Sequence, residues 1–259
     1  MAATAQAPAP AVVGVPPARG DAPPPRPVRG RRLSFTALKT TMAVTGTVIA
    51  AFVAVHMVGN LKAFMGPEAY NSYAAWLRSA LYPLLPHEGL LWIMRAVLAA
   101  CLVLHIAAGV DLWRRGRVAR GDFRRRGLPP RTSAARSMIL TGGLIGVFII
   151  IHVLDLTIGR AVASASYTAP SHEAGAPHVS AYENLVASLS RPSMAIFYSL
   201  VMLAIGLHLA QGLWNVVIDL GGTGARLRRI WLVLSLAVAL AIVLGNGALP
   251  LLVLAGVIS

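Results

Sequence analysis

Four histidines, His56, His105, His152 and His208, fall one each inside four separate apolar runs, while His87, His172 and His178 fall between runs. One histidine in such a run bonds a carbonyl or lines a polar crevice as readily as it binds a metal. Four of them, one per run, suit a more specific chemistry. A neutral imidazole can donate a ring nitrogen to each axial face of a haem iron, so four can serve two bis-histidine haems b. A proton relay is the other chemistry that buried ionisable groups of this kind perform.

The elements that must position them are legible from composition. Of the 259 residues, 56% are hydrophobic and 12% charged, against about a quarter charged in a soluble domain. Five runs reach the roughly 20 apolar residues that a membrane-spanning helix needs, at about 38–61, 89–111, 137–158, 192–218 and 230–256. The expected fold is an all-α integral membrane bundle of five helices over 31–259, with no separate catalytic domain. Residues 1–30, rich in Ala, Pro and Arg, read as a disordered cytoplasmic tail.

The net charge of +14 does not point to nucleic acid, because the arginines cluster between apolar runs and no nucleic-acid fold pattern accompanies them. Anionic lipid and an acidic partner surface suit them better. Arg31, Arg32 and Lys39, the basic loop 114–131 and the turn GGTGARLRR all fall on one side. The positive-inside rule makes that side cytoplasmic, with the N-terminus inside and the C-terminus outside. Cys101 is the only cysteine, which excludes an intrachain disulfide and a cysteine-ligated cluster.

Topology lets the histidine depths be compared. His56 lies 17 residues beyond Lys39 and His152 lies 16 beyond Arg136, whereas His105 precedes Asp111 by 6 and His208 precedes Asp219 by 11. His56 and His152 therefore share the outer half, and His105 and His208 the inner half. If about ten residues of helix rise separate the layers, they stand roughly 15 Å apart. Gly59, Gly109 and Gly212 sit one turn after a histidine and leave room for a flat ring, while Gly142 and Gly146 suit helix packing. Thr45, Thr47 and Ser199 are candidates to bond an imidazole. Two separated pairs offer no three-ligand zinc set, and no CxxCH, GxGxxG, phosphate-loop or nucleophile-elbow pattern occurs.

The strings HMVGNLKAFMGPEAYNSYAAWL, LHIAAGVDLWRR, IHVLDL and LHLAQGLW resemble the cytochrome b membrane anchor of succinate:quinone oxidoreductases. The likeness is to the single-subunit, five-helix, dihaem class, and it extends over about 35–257. It implies a respiratory-chain and tricarboxylic acid cycle complex in a bacterial cytoplasmic membrane, either succinate dehydrogenase or fumarate reductase. A flavoprotein subunit would carry FAD and an iron–sulfur subunit would carry the clusters. This chain would relay electrons to a membrane quinone, menaquinone being usual for the class. The resemblance assigns His56 and His152 to a distal haem b and His105 and His208 to a proximal one. It departs at Gly206, where some relatives carry a glutamate used in proton movement.

Arg95, in the outer half of the second run, is a candidate haem-propionate partner, or else an interfacial cation. Asn60, Lys62, Glu68 and Tyr70 are quinone candidates at an outer mouth that Tyr73, Trp76 and Glu88 also approach. Asp155 either couples protons or ends its apolar run. The chain would itself be a non-dehydrogenase subunit that hosts the quinone site. Two other readings remain open: the cytochrome b anchor of another redox enzyme, such as a hydrogenase or formate dehydrogenase, and a haem-free transporter or structural membrane protein.

Overall fold

The computed structural model describes residues 33–120, 130–171 and 178–259, with the side chains of 120 and 130–136 excepted. The tail 1–30, residues 121–129 of the basic loop and His172 lie outside the described residues. Ser34–Ser259 forms one unit.

Ser34 opens α1 (Phe35–Asn60) by accepting from the Ala37 amide at 3.0 Å, which satisfies one of the donors a helix start leaves free. A 3₁₀ turn, Leu61–Met65, runs to Gly66, whose φ of 94° turns the chain into α2 (Pro67–Ser79) with Pro67 in the first turn. Then follow α3 (Gly89–Arg120), α4 (Pro130–His152), α5 (Ala181–Leu189), α6 (Pro192–Asp219) and α7 (Ala225–Leu254). Five of these are long and apolar enough to cross a membrane, over Phe35–Met65, Gly89–Ala119, Ser137–Ile158, Pro192–Asp219 and Ala225–Leu254.

These are the five expected runs, and three have longer helices, α4 by beginning at Pro130 rather than at 137. α3 continues past 111 because Asp111 and Arg115 pair one turn apart, at 3.1 and 2.8 Å, beyond the apolar stretch. α7 starts at Ala225, so the arginines expected in the turn are helical. It also stays helical through Gly245, Gly247 and Pro250. The glycines serve contact there: Gly245 meets Met57 of α1 and Gly247 meets Met202 of α6.

α6 is the hub. It packs against α7, α4 and α1 and buries Ala195, Val201 and Ile205. α3 packs on α1 at the periphery, and of its described side chains only Ala108 is buried. α2 and α5 pack on each other and cover one end of the bundle. At the opposite end Lys39 of α1 pairs with Asp219 of α6 at 2.7 Å.

Candidate functional site

The four histidines meet in twos. His56 of α1 and His152 of α4 have ring centroids 5.9 Å apart with planes at 78°; His105 of α3 and His208 of α6 have centroids 6.4 Å apart with planes at 62°. These are the pairs that depth anticipates. Two imidazoles on opposite faces of one metal, each bonded at about 2 Å, would put their ring centres about 6.2 Å apart. Both spacings therefore fit an axial pair. Among the described residues no three His, Cys, Asp or Glu side chains converge on one point.

The His105–His208 pair is held through hydroxyls. Thr45 of α1 lies 3.2 Å from His105 Nδ1, and Thr141 of α4 lies 3.1 Å from His208 Nδ1. The neighbouring glycines bring backbone against the same rings. A Cβ on Gly46 would stand 3.0 Å from His105 Cε1, and one on Gly142 would stand 3.3 Å from His208 Cε1. Gly142 thus makes room for a histidine rather than for a helix. Gly59 accommodates Tyr73, whose ring would be 2.7 Å from an added Cβ, and Gly109 faces Met42.

The His56–His152 pair is held by rings. Phe52 stacks on His56 with centroids 5.4 Å apart, and Phe148 stacks on His152 at the same distance. Tyr198 lies 6.1 Å from His152. His152 Nδ1 is buried and has no hydrogen-bond partner among the described residues.

Beyond His152 the chain widens into a π-helical turn, Val153–Ile158, a feature that often re-aims side chains at functional sites. It buries Asp155, which accepts from Arg191 at 2.7 Å, from Tyr198 at 3.1 Å and from Ser188. Arg191 also donates to the Val162 carbonyl at 2.7 Å. Asp155 therefore ends its run as the centre of a paired network joining α5, α6 and the π turn.

The other candidates separate. Asn60 donates to Asn246 of α7 at 3.0 Å, and Tyr70 reaches Asn60 Oδ1 at 3.5 Å. Burial, with the neighbouring Tyr73 second, pushes the Tyr70 phenol up to about 12. Lys62 lies over the Tyr73 ring, 5.5 Å from its centroid, and Glu68 is exposed, so neither joins that cluster. Arg95 stacks on Trp92 and stands 3.7 Å from Glu88, which Arg78 also approaches at 3.1 Å.

Sequence reasoning missed Gly46, Phe52, Thr141, Phe148, Ser188, Arg191, Tyr198 and Asn246. For the first four the signal was a repeat. Thr45-Gly46, Phe52 and His56 stand in the same register as Thr141-Gly142, Phe148 and His152, and the string L-H-x-A-x-G recurs at 104–109 and 207–212. In both halves 11 residues separate threonine from the later histidine, about 16 Å of helix. Comparison of the chain with protein-family models, curated proteins and solved structures gives no match, so the functional reading rests on this geometry and on the sequence resemblance.

Proposed function

We propose that this chain is the dihaem cytochrome b membrane anchor of a succinate dehydrogenase, passing electrons from an iron–sulfur subunit to a membrane quinone, menaquinone by resemblance. The observation that carries this reading is the pair of histidine contacts at 5.9 and 6.4 Å between ring centroids. His56 and His152 would hold one haem b, and His105 and His208 the other. When bound, haem b supplies one-electron transfer at each position.

The chain's own residues do the rest. Neutral imidazoles donate ring nitrogens, and the apolar bundle keeps water away from them. The 11-residue interval repeated on α1 and α4 spaces the two layers. Positive-inside reasoning assigns the Lys39–Asp219 end to the cytoplasm, where the arginines of α3 and α7 would face the iron–sulfur subunit. The location is then a bacterial cytoplasmic membrane. At the other end, Asn60, Tyr70 and Asn246 supply neutral donors and acceptors suited to a quinone carbonyl.

The test is dithionite-reduced minus oxidised spectroscopy on the purified native complex, with pyridine haemochrome quantification. The expected result is two low-spin haems b per chain. A value near one removes one histidine pair from the reading, and a value near zero removes both.

A further inference from the structure

We propose that Thr45 and Thr141 are positioning residues for the His105–His208 pair, fixing each histidine as the Nδ1–H tautomer so that both Nε2 lone pairs are left for one shared metal. The inference rests on the haem reading above, and it follows from counting protons. A threonine hydroxyl has one proton to donate. Thr45 gives it to the Thr41 carbonyl at 2.6 Å, and Thr141 gives it to the Ser137 carbonyl at 2.9 Å. Each oxygen can then only accept from the imidazole nitrogen beside it, at 3.2 and 3.1 Å. That nitrogen must carry the N–H. A neutral imidazole has one N–H, so Nε2 is the unprotonated nitrogen in both rings.

The arrangement occurs twice, on different helices and with the same Thr-Gly dipeptide, whose glycine brings backbone against the ring edge. The other pair has no counterpart. Phe52 and Phe148 set the ring planes of His56 and His152, but stacking does not choose a tautomer, and His152 Nδ1 has no partner among the described residues. A hydrogen bond from Nδ1–H makes an imidazole a stronger donor to its metal. It favours the more highly charged metal state and lowers the midpoint potential. The threonines should therefore act on one haem and spare the other.

The experiment is a redox titration of both haems in the intact purified complex, for Thr45→Val and Thr141→Val separately, with haem quantified per chain. Thr45→Ser and Thr141→Ser restore the hydroxyl. Thr47→Val is the control, because the Thr47 hydroxyl donates to the Ala43 carbonyl rather than to either histidine pair. The expected result is two haems per chain, an upward shift of one component in each valine variant, recovery with serine and no shift with Thr47→Val. That component should be the one lost in His105→Ala. Two haems with unmoved potentials, or a shift in the component lost in His56→Ala, would overturn the proposal. The two threonines are independent sites, so poor accumulation of one variant leaves the other to decide. Fewer than two haems in the wild type would remove the underlying reading itself, a result distinct from two haems with unmoved potentials.

Discussion

Steep angles between paired imidazoles, 78° and 62°, carry an electronic consequence. If the two pairs hold haem as proposed, each ring's π system would act on a different iron d orbital, so the two orbitals would stay nearly equal in energy and the ferric ion would be strongly anisotropic. Low-temperature EPR should show large-g low-spin signals for both haems. His56→Ala should abolish one signal, and His208→Ala the other. A parallel-ring spectrum, or loss of both signals from one substitution, would contradict the pairing. At the quinone candidates, Tyr70→Phe removes a neutral donor and should raise the quinone KM about fivefold, as expected for one hydrogen bond of about 1 kcal/mol. Because burial holds the Tyr70 phenol near 12, it remains protonated below its ordinary value of about 10. The pH profile of quinone reduction should therefore carry no Tyr70 inflection between neutrality and about pH 10. Loss of activity would begin only as pH rises toward the folded value, and the Phe variant should lack that loss.

Among the helices, α6 explains the departure at Gly206. A Cβ there would collide with Val243 of α7, so the position is a close-packing site with no room for a glutamate. Gly206→Glu should not install a proton path. Overpacking of this kind costs about 1–3 kcal/mol, and burying an unpaired carboxylate adds to it. The expected outcome is a lower thermal unfolding temperature of the detergent-solubilised protein, with Gly206→Ala milder because Val243 can rotate. An unchanged melting temperature in Gly206→Glu would mean that α6 and α7 are less closely packed than described. Asp155 illustrates the same dependence on packing. Its charge is tolerable inside the bundle because the π turn, α5 and α6 bring Arg191, Ser188 and Tyr198 to it.

For the whole molecule, the repeat gives α1–α3 and α4–α6 the same construction, with each pair of equivalent histidines drawn from both halves. Two helix pairs in parallel repeat leave equivalent loops on equivalent sides. The basic turns then face one compartment and the α2 and α5 segments the other. In a Cys101→Ala background, Thr223→Cys should be labelled by an impermeant thiol reagent only from the cytoplasmic side, and Ser164→Cys only from outside. The reverse pattern would invert the proposed topology.

The sequence by itself determined the five spans and grouped the histidines by depth, because run length, charge placement and helical rise are local and additive. It also held the Thr-Gly repeat, though a single threonine among apolar residues gives no sign of its partner. Only the tertiary structure decided that Thr45 and Thr141 reach across to His105 and His208, that Gly59 makes room for Tyr73, and that Asn246 completes the Asn60 cluster. It also drew Arg95 toward Glu88 and left Lys62 and Glu68 outside the Asn60 cluster. Those outcomes depend on which helix faces which, and a nearly uniform apolar surface does not encode that choice. The packing of α1, α4 and α7 around α6 settles it, through contacts between residues far apart in the chain, 67 positions for Thr141 and His208 and 180 for Lys39 and Asp219.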